Sequence, residues 1–213
     1  MIIGASAVER LLAARLVAIV RLDDLELAVA AAGVAIEAGV GSVEVTFTIP
    51  QAAVAIQRLR HNYPATLIGA GTIRRLSELD DAAAAGAEFL VAPGLNPPLL
   101  EAAQKCGLPM LPGVFTASEI DLALRLGVEL LKLFPAEPSG PSYLASLLQP
   151  FPQARLVPTG GVSAANASAY LSAGAAAIAM GSSIFPARRI MAEGPQVVAP
   201  LVAEALSSLN SAD

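Results

Sequence analysis

The chain has 213 residues, of which 55% are hydrophobic and 15% charged, and its net charge is −5 at pH 7. This length suits one large domain over residues 1–213, and the acidic balance without a basic cluster argues against nucleic acids and anionic membranes as partners. A single cysteine, Cys106, and a single histidine, His61, exclude an internal disulfide and the usual zinc site, and no apolar run reaches the roughly 18 residues that a membrane span needs.

The first stretch of the chain, MIIGASAVER, lacks a basic region followed by a long apolar core, so we expect no secretory signal. The lone cysteine fits a reducing compartment, and the expected location is the cytoplasm. The first predicted element is a helix at about residues 5–14, which would close the bottom of a barrel.

Short β-rich runs then alternate with alanine-rich helical segments. The predicted strands are 16–22, 42–48, 66–72, 88–94, 109–114, 130–135, 155–161 and 176–182. The predicted helices include 24–39, 50–61, 75–86, 96–106, 116–127 and 164–173, with a C-terminal helix at about 195–208 packing outside. Eight strand–helix units predict an α/β fold, a (β/α)8 TIM barrel with an extra N-terminal helix. An open doubly wound sheet is disfavoured because RLDDLE, after the first strand, lacks the glycine-rich turn of that fold.

The second and sixth predicted strands each carry one charged residue among apolar ones. Because strand side chains alternate between faces, helix-facing Val43 and Val45 leave Glu44 pointing into the barrel. The same alternation in LLKLFP points Lys132 and Phe134 inward. Alternate strands contribute to the same interior layer, so Glu44 and Lys132 are expected to share it.

This pair has two interpretations. It could be a buried structural ion pair, although such pairs rarely contribute much stability. Alternatively, burial favours the neutral amine of Lys132, which can then attack a carbonyl while Glu44 moves protons. The chain has eleven arginines but only two lysines, Lys105 and Lys132, so a lysine in this costly position favours the nucleophile.

Glycine-containing loops follow the last two predicted strands. In VPTGG and MGSS the candidate anion contacts are Thr159, Gly160, Gly161, Gly181 and Ser182. Glycines let backbone N–H groups approach an anion closely, and these two loops are the usual phosphate position of this barrel. Ordinary tight turns are the alternative, because turns also use glycine.

Small residues follow the third and fourth predicted strands at the same end of the barrel. GAGT and APG leave space there, and Thr72 offers a hydroxyl to a bound carboxylate. The alternative is an ordinary βα turn. LPGVFT repeats the pattern after the fifth strand, where Pro112 and Gly113 are interpreted as loop shape.

These motifs together resemble a known family. VEVTFTIP, IGAGT, VAPG, LPGVFT, LKLFPAE, VPTGGV and GSS, in this order and spacing, resemble the class I aldolases that cleave 2-keto-3-deoxy-6-phosphogluconate (KDPG), a family that includes 4-hydroxy-2-oxoglutarate (KHG) and 6-phosphogalactonate aldolases. The resemblance runs from about Leu16 to the C-terminus. It implies a homotrimeric barrel that acts on a small phosphorylated keto acid without a metal or other cofactor.

The resemblance also assigns roles to individual residues. It places the Schiff-base lysine on Lys132, the proton-transferring glutamate on Glu44 and the pyruvate-contacting threonine on Thr72. Phe134 and the prolines at the strand ends, such as Pro93, would exclude water and hold the plane of the imine. The phosphate loops fall on Thr159, Gly160, Gly161, Gly181 and Ser182.

One position departs from the family pattern. Many members carry EVTLRT, whose arginine contacts the substrate carboxylate, whereas this chain has EVTFTIP with Thr48 in the arginine's place. A buried carboxylate without a cation is costly, and Arg21 ends the strand next to the second one. We therefore predict that Arg21 replaces the missing arginine; the alternative is a salt bridge from Arg21 to Asp23 or Asp24 at the rim.

The implied activity is that of a lyase in the Entner–Doudoroff pathway, cleaving KDPG reversibly into pyruvate and D-glyceraldehyde 3-phosphate. Cleavage of KHG into pyruvate and glyoxylate is the second activity that the family implies. Two other functions remain open: a phosphosugar isomerase or epimerase on the same barrel, and a non-catalytic phosphate-binding barrel. The sequence does not determine which 2-keto acid is preferred.

Overall fold

The structure, a computed structural model, describes residues 6–210. The strands of this range are β1 (Leu16–Val20), β2 (Ser42–Thr46), β3 (Leu67–Gly71), β4 (Leu90–Val91), β5 (Met110–Leu111), β6 (Gly113–Val114), β7 (Leu131–Leu133), β8 (Leu156–Pro158) and β9 (Ile178–Met180). The α-helices are α1 (Ala7–Ala14), α2 (Leu25–Glu37), α3 (Ala52–Asn62), α4 (Leu76–Ala84), α5 (Pro97–Lys105), α6 (Ala117–Arg125), α7 (Gly140–Leu148), α8 (Ala164–Ser172), α9 (Ala187–Glu193) and α10 (Val198–Asn210). None of the helices in this range is long and apolar enough to cross a membrane.

All strand pairs are parallel and close into a barrel. One sheet has the order β5-β4-β3-β2-β1-β9 and the other the order β6-β7-β8. The two sheets meet at Pro112, which separates β5 from β6 because proline has no N–H for the ladder. The carbonyl of Pro112 accepts a hydrogen bond from Lys132 N–H at 3.0 Å. The other seam is a parallel bridge between Thr159 and Ala179. With β5 and β6 as two halves of one predicted strand, the eight-stranded α/β barrel is confirmed.

Two apolar cores hold the barrel together. The larger lies between the strands and the outer helices and contains Val43, Val45, Leu131 and Leu133. The smaller fills the barrel interior, and its members include Val17, Ile19, Phe89, Leu130 and Val157. The alternation predicted for the second and sixth strands is therefore confirmed, because Val43, Val45, Leu131 and Leu133 pack outward against helices while Leu130 lies in the interior core.

Helix α1 closes the bottom of the barrel, as predicted for about residues 5–14; residue 5 lies outside the described residues. Val8 and Leu11 of α1 are buried in the interior core. Glu9 closes a capping box with the residue before the helix, which satisfies backbone groups at its start. Arg10 donates to Glu88 at 2.7 Å, so an ion pair at the barrel bottom also holds α1 in place.

The observed strands end earlier than the predicted ones. β3 ends where Thr72 turns into the left-handed region (φ +59°), and β8 ends before Gly160 and Gly161, whose φ values are +89° and +75°. The motif residues that follow the strands therefore lie in loops at the carboxyl end of the barrel. Helices α7 and α9 were not among the helices predicted from sequence, and a 3-10 turn (Pro195–Val197) precedes the C-terminal helix.

Candidate active site

Lys132 lies at the centre of β7 and is 5% exposed. Gly113 and Val157 pair with it on the two sides, so its backbone is held by both neighbouring strands. Its Nζ lies 4.9 Å from the centroid of the Phe134 ring, within the distance of a cation–π contact. The amine therefore sits in an almost dry, partly aromatic setting at the inner wall of the barrel.

Glu44 lies on β2 and is 2% exposed. Its Oε1 atom is buried without a hydrogen-bond partner in the described part of the chain. No ion pair joins it to Lys132 among residues 6–210, although the two charges influence each other. A structural ion pair, the first interpretation of these residues, is therefore not what the structure contains. A buried carboxyl with a spare oxygen is instead suited to accept a proton from a ligand or water.

Burial shifts the proton affinities of both groups toward their neutral forms. Desolvation raises the pKa of the Glu44 carboxyl, against the opposing charges of Lys132 and Arg21. Desolvation lowers the pKa of the Lys132 amine, and Arg21 lowers it further while Glu44 opposes the shift. Lys132 therefore loses its proton at a lower pH than an exposed lysine does, which favours the neutral amine required for attack on a carbonyl.

A cavity of about 270 Å³ opens above Lys132 at the carboxyl end of the barrel. It brings together most of the predicted site residues: Arg21, Lys132, Phe134, Thr159, Gly160, Gly161, Gly181 and Ser182. Four predicted residues do not line it: Glu44, Thr48, Thr72 and Pro93. The cavity therefore joins the lysine to the two glycine loops, while Glu44 is buried in the wall beside it.

Sequence reasoning missed four residues that line the cavity: Ile19, Val162, Phe185 and Ala187. The strand alternation could have found Ile19, because it lies two positions before Arg21 on the same face of the chain. Phe185 and Ala187 lie next to or at the start of α9, a short helix that was not predicted. They supply apolar cover on the side of the last strand.

The loops after β8 and β9 present unpaired backbone donors. The N–H groups of Gly161 and Ser182 donate to no other residue within 6–210. A Cβ atom at Gly161 would come 2.8 Å from Cγ of Glu137, so glycine is needed there for space as well as for its positive φ. Helix α8 begins directly after the first loop, at Ala164, and its N-terminus adds a favourable dipole for an anion.

Arg21 lines the cavity and makes no ion pair within the described residues. The predicted alternative, a salt bridge to Asp23 or Asp24 at the rim, is absent there. Asp24 instead caps α2 by accepting a bond from Leu27 N–H at 2.8 Å. The guanidinium of Arg21 is consequently available to a ligand.

Thr48 and Thr72, two of the residues predicted to contact the substrate, do not line the cavity that Lys132 lines. Thr48 is exposed, and its hydroxyl is 3.0 Å from that of Thr46, which lies 3.2 Å from the carbonyl of Val20. Thr72 is half-buried in the turn after β3. Contacts of Thr48, Thr72 and Pro93 with a substrate remain predictions.

Within residues 6–210, no group of three or more His, Cys, Asp or Glu side chains could hold a metal ion.

The chain matches a known protein family over most of its length. A family model described as KDPG and KHG aldolase matches residues 8–201. The chain belongs to the KDPG and KHG aldolase family. Its relatives include the 2-dehydro-3-deoxy-phosphogluconate aldolase of Treponema pallidum (strain Nichols), 37% identical over 84% of this chain and 85% of the relative. The KHG/KDPG aldolase of Escherichia coli (strain K12) is 36% identical over 89% of this chain and 90% of the relative.

Solved structures of this aldolase family superpose on the barrel. The KDPG aldolase of Legionella pneumophila, in which pyruvate is captured at low pH as a covalent carbinolamine intermediate, aligns with a TM-score of 0.86 and 32% identity, covering 93% of this chain and 97% of that chain. Two more distant barrels, a thiamine phosphate pyrophosphorylase from Pyrococcus furiosus and a 3-hexulose-6-phosphate synthase, are 19% and 20% identical and share the fold alone.

Proposed function

We propose that this protein is a class I aldolase that cleaves KDPG into pyruvate and D-glyceraldehyde 3-phosphate, with KHG as a second substrate. The observation that carries the proposal is a buried lysine with a lowered pKa, opening into a cavity whose other wall consists of two loops with free backbone donors. Membership of the aldolase family supports the same reaction. The pyruvate adduct of the Legionella pneumophila relative supports a covalent route.

In the proposed reaction, neutral Lys132 attacks the C2 ketone of the substrate and forms a carbinolamine, which loses water to give an iminium ion. Glu44, through a water molecule, removes the proton of the C4 hydroxyl. The C3–C4 bond then breaks, its electron pair flows into the iminium, and the aldehyde leaves. The enamine carbon C3 takes a proton back from Glu44, and hydrolysis of the imine releases pyruvate and regenerates the amine.

The two ends of the substrate would be held by different parts of the cavity. The loops at Gly160–Gly161 and Gly181–Ser182, with the hydroxyl of Thr159, would bind the phosphate through N–H groups and the α8 dipole. Arg21 would bind the carboxylate with two hydrogen bonds in place of the arginine that Thr48 replaces. Phe134 would cover the imine and keep bulk water away.

Borohydride trapping tests the covalent step. In the presence of pyruvate, reduction should add a stable mass to Lys132 and none to Lys105, which is exposed and paired with Glu101 at 2.7 Å and so serves as an internal control. The reaction should also survive EDTA. Label on Lys105 alone, or none at all, would contradict the imine mechanism. Phosphosugar binding without a trapped adduct would favour the isomerase or epimerase instead.

A cleavage assay then distinguishes the substrates. KDPG, the corresponding 6-phosphogalactonate derivative and KHG should be compared under identical conditions. Faster turnover of the two phosphorylated compounds is expected because the loops after β8 and β9 would bind their phosphate. Equal turnover of all three would argue against a phosphate site at these loops.

Substitution of Arg21 tests the proposed carboxylate contact. Arg21→Ala should weaken pyruvate binding in the trapping assay by roughly 1.5–3 kcal/mol, the range for a hydrogen bond to a charged group, and Arg21→Lys should recover only part of it. Arg125→Ala is the matched control, because Arg125 is exposed on α6 and paired with Asp121. Normal pyruvate affinity with poor binding of the phosphorylated aldehyde would move Arg21 to the phosphate site.

Family membership further supports a homotrimer that works in the cytoplasm on the Entner–Doudoroff pathway. A designed protein cage built by fusing symmetric oligomeric domains aligns with 92% of this chain at a TM-score of 0.86 and 29% identity, which is consistent with an oligomeric barrel. Light scattering coupled to size-exclusion chromatography would measure the oligomer. A monomer at micromolar concentration would contradict the trimer.

A further inference from the structure

Gly71, the last residue of β3, lies against the side chain of Glu44. β2 and β3 pair in parallel with Thr46 opposite Gly71, and Glu44 lies two residues before Thr46 on the same face of β2. A Cβ atom built on Gly71 would overlap Oε1 and Cδ of Glu44 and lie 2.5 Å from its Cγ. The carboxyl group of Glu44 therefore occupies the volume that any side chain at position 71 would need.

The backbone at position 71 does not itself require glycine. Gly71 is not among the residues with positive φ, so an alanine there would meet no backbone strain, only the Glu44 side chain. The buried Oε1 of Glu44 has no hydrogen-bond partner within residues 6–210. No hydrogen bond holds that oxygen, so the packing surface that Gly71 provides determines where the carboxyl lies.

We propose that Gly71 is a positioning residue, which makes room for the Glu44 carboxyl at the wall of the cavity, and that any larger residue at this position displaces the proton-transferring group. The effect on turnover rests on the proposed aldolase function. The packing of Gly71 against Glu44 does not rest on that function, so thermal stability and turnover are measured separately.

A double-mutant cycle on thermal stability tests the packing. Gly71→Ala should lower the melting temperature by roughly 3–10 °C, the scale of an overpacked core in a protein of this size. In a Glu44→Ala background the three nearest atoms are gone, and the same substitution should lower it far less. Gly69→Ala is the matched control: it lies on the same strand and face, but its Cβ would meet the Phe89 ring, 2.6 Å from Cδ1. Gly69→Ala should lower the melting temperature by a similar amount in the wild-type and the Glu44→Ala backgrounds.

A cycle on turnover tests the catalytic consequence. Gly71→Ala should reduce kcat for KDPG roughly 10²-fold, as expected for a misplaced catalytic group, and leave KM unchanged because the phosphate loops follow β8 and β9. In the Glu44→Ala background it should cause no further loss. The proposal would be overturned if Gly71→Ala reduced kcat by the same factor with and without Glu44. It would also be overturned if Gly71→Ala lowered the melting temperature equally in both backgrounds. If wild-type enzyme traps no pyruvate, the aldolase function fails, while the stability cycle still decides whether Gly71 positions Glu44.

Discussion

Replacing Lys132 with methionine will remove pyruvate trapping entirely and lower KDPG cleavage by roughly 10⁶-fold, the scale seen when a covalent nucleophile is lost. Methionine matches the apolar stem of lysine but has no amine, so no iminium can form to accept the electrons of the C3–C4 bond. Steady-state cleavage and mass spectrometry after borohydride reduction measure the two effects.

Two controls separate loss of the nucleophile from loss of the fold. Lys105→Met removes the other lysine, which is exposed on α5, and should leave both measurements unchanged. The Lys132→Met protein should melt at or above the wild-type temperature, because an amine held in an almost dry site costs stability that an apolar side chain recovers. Residual cleavage within tenfold of wild type would show that Lys132 is not the nucleophile.

Glu44→Gln will still form the pyruvate imine, slowly, but will lose roughly 10²–10⁴-fold in turnover, the contribution typical of general acid–base groups. Glutamine retains the shape that packs against Gly71 while it can no longer exchange a proton at neutral pH. Glu101→Gln, a change of the same kind on the exposed face of α5, is the matched control. Near-normal turnover in Glu44→Gln would mean that another group carries the protons.

The same variant has a predicted pH signature. The negative charge of Glu44 raises the pKa of Lys132 against the dominant lowering by burial, so its removal lets that pKa fall further. The neutral amine then forms at lower pH, and the pH profile of pyruvate trapping should shift to lower pH relative to wild type. Trapping rates across the pH range, at saturating pyruvate, measure this shift. A profile displaced to higher pH would contradict the electrostatic relation between the two residues.

Much of the fold, and the placement of Glu44 and Lys132 together in the barrel interior, could be predicted from local patterns in the sequence. Repeated strand–helix units predicted the barrel, and side-chain alternation placed Glu44 and Lys132 on its inner face. The glycine loops that line the cavity were found because they follow the last two predicted strands, the usual phosphate position of this barrel. These signals are short-range, since they depend on residues within a few positions of one another.

Other features depend on how distant strands lie beside each other. Thr48, Thr72 and Pro93 do not line the cavity, because β2, β3 and β4 end before them, at Thr46, Gly71 and Val91; their contacts with a substrate stay predictions. Ala187 begins α9, a short helix with too few residues to show a period, and Phe185 lies in the loop just before it. The interruption at Pro112 likewise depends on tertiary pairing, because β5 before it pairs with β4 and β6 after it pairs with β7.

The sequence by itself determined the barrel, the helix α1 that closes its bottom, and the two ionisable groups of the interior, because strand–helix repeats and side-chain alternation indicate which side chains face away from water. Only the tertiary structure decided how these groups behave. The register of β2 against β3 places the Glu44 carboxyl on the bare Cα of Gly71, and burial from all sides moves the proton affinities of Glu44 and Lys132 toward neutrality. Both effects arise from contacts between residues far apart in the chain, which no local pattern encodes.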